Sequence, residues 1–168
     1  MGQDKNTMDR LLELIFENPG KAFTVREISQ KTRIPKSTVQ RYLQQLKKSK
    51  MLKKNNELLV DAYTKFLKSF FMIKKIIESG LIAHLEKTFT PSAIILFGSA
   101  RKGEYTKESD IDVFVETTKK QEIDLVTFEK KLKHNIQLFK ESSIQNLPNE
   151  LFNNIMNGIK LSGYIKLK

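Results

Sequence analysis

Apolar positions recur along the chain with two different periods, and the change from one to the other divides it. Met8, Leu11, Leu12 and Ile15 stand at helical spacing and stop at Asn18-Pro19-Gly20, so a first helix is expected over 8–18. A second opens at Phe23 and ends near Thr32-Arg33. Thr24 and Glu27 have the spacing of a capping box, and Phe23 and Ile28 stand where a hydrophobic staple would put them. A third begins at or beside Pro35, a residue tolerated in a first helical turn, and turns Val39, Tyr42, Leu43 and Leu46 inward. Two short strand-like pieces follow, 51–54 and 57–60, joined by Asn55-Asn56, a pair suited to a tight hairpin turn.

From residue 61 to 88 the helical period returns, with Phe66, Phe70, Ile73, Ile76 and Ile77 on one broad face and an interruption at Ser79-Gly80. His84 lies beside the apolar stripe of Leu81, Ile82, Leu85 and Phe89 and reads as a packing residue. The period then shortens to that of strands. Ile94 to Phe97 is a run of apolar residues, and Asp110 to Val115 alternates strictly. A helix is expected over 121–132, a strand over 134–139 and a last helix from Pro148, with Gly158 placed to end it. The tail from Ile159 alternates again and could add an edge strand.

The connection between the two central strands carries the chemistry. Side chains alternate faces along a strand, so Asp110 and Asp112 point one way while Ile111, Val113 and Val115 point the other. Two carboxylates on one face repel, and a divalent cation offsets that; Mg²⁺ is commonly held by one or two carboxylates together with substrate phosphates. The first strand ends at Gly98-Ser99. A backbone without a side chain lets a phosphate pass close, and Ser99 offers a hydroxyl and an amide to the same anion.

A hydrophobic strand, Gly98-Ser99, a polar connection and Asp110-x-Asp112 in a second strand resemble the signature of the polymerase-beta-like nucleotidyltransferase superfamily. The form G-S-A-R-K-G-E followed by S-D-I-D-V is most similar to its minimal archaeal and bacterial members. The resemblance implies that Gly98 and Ser99 bind the β- and γ-phosphates of an NTP, ATP among them. It implies that Asp110 and Asp112 hold Mg²⁺ or Mn²⁺ and are catalytic, and that an NMP passes to a hydroxyl acceptor on a protein or an RNA. Arg101 and Lys102 are either triphosphate contacts or a solvated basic turn. Many such proteins pair as antitoxins with a helical toxin. The superfamily places a third carboxylate on the next strand, where this chain has Asn135 and Gln137. Glu141 lies just beyond that strand and Glu116 one pleat past Asp112. Two readings therefore stay open: a nucleotidyltransferase, or a regulator that senses nucleotide without turnover.

Charge separates the two halves. The net charge is +11. Between Lys21 and Lys54 stand eleven basic residues and a single acid, Glu27, which is the footprint of a polyanion partner. Within this block, T-V-R-E-I-S-Q-K-T-R-I-P-K-S-T-V-Q-R-Y-L resembles the two-helix unit of winged helix-turn-helix proteins, and the pieces over 51–60 would be its wing. By that resemblance the third helix enters a DNA groove. Lys36, Ser37, Thr38, Gln40, Arg41 and Gln44 become the candidate contacts, with Lys53 and Lys54 on the wing. Such modules often act in pairs, so a homodimer is expected by analogy.

The sequence thus predicts an α+β chain with two domains. Residues 1–62 form a winged helix-turn-helix domain, and residues 63–168 form a nucleotidyltransferase domain with a small mixed sheet and flanking helices. The chain has 168 residues, an apolar share of 39% and no cysteine, which excludes a disulfide framework and thiolate metal sites. With only His84 and His134, a zinc site is not expected. No apolar stretch reaches the length of a membrane span, and the first residues lack the apolar core of a signal peptide, so a cytoplasmic protein is expected.

Overall fold

The computed structural model describes residues 2–166. The chain divides into two compact units, Met1–Lys65 and Phe66–Lys168. In the first, α1 (Gly2–Phe16), α2 (Val25–Thr32) and α3 (Lys36–Lys48) precede a hairpin. Helix α1 begins well before Met8, because its first residues are polar and carry no period to read. The capping box of α2 is complete: Glu27 donates its backbone N–H to Thr24 Oγ1 at 3.2 Å, and the Glu27 carboxylate accepts from the Thr24 N–H at 2.8 Å. Those bonds, led by the Thr24 backbone, hold the Glu27 carboxyl below its usual range. Helix α3 starts after Pro35 and buries Val39, Tyr42, Leu43 and Leu46.

The hairpin is slighter than expected. Instead of two strands there is a single bridge, Leu52 with Leu58. The chain turns at Lys53–Asn56, where Asn56 takes φ 66° and donates to the Lys53 carbonyl. The Asn56 amide side chain also donates to the Phe23 carbonyl at 2.8 Å, which ties the turn down before a ladder can extend.

The second unit is entered along α4 (Ala62–Ser79), whose start is capped by Asp61; the Asp61 carboxylate accepts from the Thr64 N–H at 2.8 Å. The face expected to be inward on α4 is split. Ile76 is buried, but Phe66, Phe70 and Ile77 are more than half exposed. Met72 and Phe71 face the core in their place, together with Lys68, only 3% exposed. Gly80 breaks the helix with φ 86°, and α5 (Leu81–Phe89) follows.

A four-stranded sheet completes the unit: β1 (Ala93–Phe97), β2 (Ile111–Glu116), β3 (Ile136–Glu141) and β4 (Ile159–Gly163), in the order β3-β2-β1-β4. Strands β1 and β2 are antiparallel, β2 and β3 parallel, and β4 joins the free edge of β1 antiparallel. Both faces of the sheet are covered, since β1 is buried at every position. One face packs Ile95, Phe97 and Phe114 against Ile144 and Ile155, with α8 (Asn149–Met156) supplying the latter. Gly158 lets this turn close on β1, since a Cβ there would lie 2.4 Å from the Ile95 side chain. Between the strands lie α6 (Gly98–Lys102) and α7 (Val126–Leu132). Helix α7 begins five residues later than its apolar pattern suggested, because the Asp124 carboxylate caps the Val126 N–H at 2.9 Å and holds 121–125 out of the helix. Strand β3 begins at Ile136, after Lys133 has taken φ 60° to end α7.

Candidate active site

The antiparallel register pairs Phe97 with Asp112. The residue after Phe97 is therefore delivered to the carboxylate two strand positions into the second motif. Gly98 sits there with φ 68°, and a Cβ at that position would lie 1.9 Å from Asp112 Oδ2. The glycine is thus needed twice, for a left-handed backbone and for room beside the carboxylate. Ser99 and Arg101 are half-buried and Lys102 is exposed, all on the short helix α6. Among the described residues neither Arg101 nor Lys102 forms an ion pair. The structure brings Gly98 and Asp112 into direct apposition, with Ser99 next in the chain; it draws no contact between Arg101 or Lys102 and the aspartates.

Asp110 stands one residue ahead of β2, and the strand is anchored there by the Ile111 N–H donating to the Asn135 carbonyl at 2.9 Å. Asp110 and Asp112 are both half-buried, while Ile111, Val113 and Val115 are buried, as the alternation required. Burial pushes the Asp112 carboxyl above its usual range, and the nearby Asp110 charge adds to that. The sign of the consequence follows. In the window between the ordinary carboxylate value and the raised folded one, the folded chain binds more protons than the unfolded chain, so stability falls as pH rises through that window. Asp112→Asn should therefore raise the melting temperature at neutral pH without divalent cations, and the gain should shrink as pH is lowered into the carboxylate range. Thermal melts of the two proteins across pH check this.

The third carboxylate expected on β3 is absent. Asp112 pairs with Gln137 across the parallel register. Gln137 Nε2 donates to Asp110 Oδ2 at 2.7 Å, and Asn135 Nδ2 donates to Asp110 Oδ1 at 3.2 Å. Neither alternative acid reaches the pair. Glu116 is buried and occupied: its carboxylate accepts from Ser92 Oγ at 2.5 Å and from the Ile144 N–H at 2.9 Å. Glu141 ends β3 opposite Glu116, about 13 Å along the strand from the level of Asp112. The Ser142 backbone N–H and hydroxyl hold its carboxyl below the usual range.

The arrangement fits one hard cation. Two carboxylate groups beside a glycine without a side chain are oxygen donors of the kind a hard divalent cation takes. Among the described residues no group of three or more His, Cys, Asp or Glu side chains could hold a metal by itself.

Two supporting residues gave no sequence signal. Lys68, which a helical lysine's usual solvation hides, donates Nζ to the Tyr105 carbonyl at 2.7 Å and lies over the Tyr105 ring. His134 Nδ1 donates to the Ser109 carbonyl at 2.7 Å. Both pin the connection that delivers Asp110. Beside Asp110 opens a cavity of about 450 Å³, lined also by Lys107, Glu108, Glu129, Lys133 and His134.

In the first unit, Lys36, Ser37, Gln40, Arg41 and Gln44 are exposed along α3 and Thr38 is half-buried. Lys54 is exposed, but Lys53 is engaged within the hairpin, its Nζ 2.6 Å from Glu57 Oε1. Among the described residues no helix is long and apolar enough to cross a membrane.

Residues 81–153 match the family model described as a nucleotidyltransferase domain, and residues 10–55 match that of an IclR helix-turn-helix domain. No curated protein and no solved structure matches the chain. The first match spans the Gly98-Ser99 turn, the aspartate pair and β3, and the second spans α2, α3 and the start of the hairpin. The chain is a fusion of an N-terminal IclR-type helix-turn-helix domain with a C-terminal nucleotidyltransferase domain.

Proposed function

We propose that the chain is a nucleotidyltransferase that moves an NMP, AMP in the first instance, from an NTP to a hydroxyl on a protein or an RNA end, with residues 1–62 tethering it to DNA. The observation that carries this reading is the apposition of Gly98 to Asp112, which makes a phosphate approach and a carboxylate pair one continuous surface. Gly98 and Ser99 receive the β- and γ-phosphates, with Arg101 and Lys102 on the same short helix. Asp110 and Asp112 hold Mg²⁺ or Mn²⁺, which supplies charge neutralisation for the triphosphate and the reacting oxygens. The acceptor oxygen bonds to the α-phosphorus as its bond to the bridging oxygen breaks; pyrophosphate leaves, and the hydroxyl proton passes to water. The cavity beside Asp110 is the approach for the acceptor. A helical toxin is the partner the resemblance suggests, in a cytoplasmic antitoxin-type role.

A second reading is favoured by Asn135 and Gln137, whose amides stand where a further carboxylate would help activate the acceptor. In it the same site senses nucleotide and regulates DNA binding without turnover. Incubation with ATP, Mg²⁺ or Mn²⁺ and separated protein and RNA fractions distinguishes the two. Acceptor-dependent release of pyrophosphate supports the enzyme. Cation-dependent nucleotide binding without pyrophosphate supports the sensor.

The exposed face of α3 meets nucleic acid, and a homodimer presents two such faces to a two-fold site. Arg41→Ala and Lys36→Ala should each weaken binding uniformly across sequences and lower the slope of log affinity against log salt by about 1, the value of one phosphate contact. Titrations of labelled DNA at several salt concentrations measure it; unchanged slopes would remove α3 from the groove.

A further inference from the structure

Asp110 is half-buried beside the cavity, and its carboxylate is already engaged. Both of its carboxylate oxygens accept from side-chain amides, Oδ2 from Gln137 at 2.7 Å and Oδ1 from Asn135 at 3.2 Å. The parallel register fixes this, because it sets Gln137 level with Asp112 and turns its side chain to the face that carries both aspartates. An amide NH₂ is a pair of donors with no acceptor. Pointed at Asp110, it holds the carboxylate in place and sets an N–H against the oxygen that a cation entering there would need. Two divalent cations in one site stand about 3.5–4 Å apart, so a second would need Asp110 oxygens that already accept from Gln137 and Asn135.

We propose that Gln137, with Asn135 beside it, is a positioning residue that fixes Asp110 and limits the two-aspartate cradle to a single divalent cation. This rests on the nucleotide-binding reading above and deepens it by assigning the count of cations to a neutral residue on β3. The cation sits on the Asp112 side with the triphosphate, and Gln137 occupies the ground of a second one.

The test counts cations directly. The full chain is dialysed to equilibrium against Mn²⁺ and α,β-methylene-ATP, whose α–β linkage cannot be transferred. Bound Mn²⁺ and bound nucleotide are measured on the same samples for the native chain, Gln137→Asp and Gln137→Glu. The native chain should retain one Mn²⁺ with each nucleotide. The acidic variants should retain two, a twofold rise that a merely structural glutamine would not produce. The two variants differ in arm length, so a folding failure in one, read by circular dichroism, leaves the other. Two Mn²⁺ on the native chain overturns the proposal. So does one Mn²⁺ on folded, nucleotide-bound acidic variants. Retained nucleotide with no Mn²⁺ overturns this inference alone, whereas the loss of both ligands from the native chain overturns the nucleotide-binding reading as well.

Discussion

Asp110→Asn combined with Asp112→Asn should abolish nucleotidyl transfer and leave DNA affinity unchanged. The two carboxylates supply the fixed negative charge of the site, and Asn oxygens cannot replace it: an amide oxygen is a weak ligand for a hard cation. Removal of a single preorganised electrostatic element from an active site typically costs a hundredfold to a thousandfold in rate, about 3–4 kcal/mol in the barrier. Loss of the pair should leave transfer at background. The fold should not suffer. The Asp112 carboxyl is held above its usual range by burial and by Asp110, so neutral amides relieve a repulsion, which offsets the one of the two Gln137 and Asn135 hydrogen bonds that an amide at position 110 no longer accepts. A melting temperature equal to or above that of the native chain would show that the loss is chemical. DNA affinity is the internal control, because the candidate contacts on α3 belong to the other unit. Transfer that survives in the double variant would move the chemistry away from this cradle.

The second large effect is expected at Gly98. Alanine there must keep φ 68°, at a cost of roughly 1–2 kcal/mol for a residue with a Cβ, and its Cβ would lie 1.9 Å from Asp112 Oδ2 and 2.9 Å from Asp112 Cγ. The backbone of Asp112 cannot retreat, since β2 is hydrogen-bonded on both sides, to β1 and to β3. The carboxylate must swing out or the turn must open. Gly98→Ala should therefore lower the unfolding free energy by about 1–3 kcal/mol. It should also weaken cation-dependent nucleotide binding far more than Ser99→Ala, which removes one hydroxyl. Urea denaturation and nucleotide titration of the two variants give the comparison. Equal binding by Gly98→Ala and the native chain would mean that no phosphate approaches through this turn.

The features legible in the sequence are those in which a local pattern has one physical solution. The capping box at Thr24 and Glu27 formed as spaced, and the buried stripe of α3 is the one its apolar positions defined, because both depend on residues within a turn or two of each other. The alternation around Asp112 fixed which residues face inward. What failed depends on partners far away in the chain. The period of α4 says that Phe66, Phe70 and Ile77 share a face with one another, but not that the face of Met72 and Ile76 is the one buried instead. The hairpin lost its strands to a bond from Asn56 to Phe23, thirty-three residues away. At the site, Asn135 and Gln137 could be read as missing acids, whereas their donation to Asp110 needed the parallel register of β2 and β3. Glu116 illustrates the converse: one pleat from Asp112 in the sequence, it is committed to Ser92 and Ile144 in the fold.

The most direct measurement follows the α-phosphate. The chain is incubated with ATP labelled at the α-position, Mg²⁺ or Mn²⁺ and an extract of the source cells, beside the Asp110→Asn/Asp112→Asn variant and beside γ-labelled ATP. Transfer through this site predicts label from the α-position, and none from the γ-position, on a discrete protein or RNA band, present only with the intact aspartates. Nucleotide bound in a cation-dependent way with no labelled band would contradict the enzyme and leave the sensor as the account of the site.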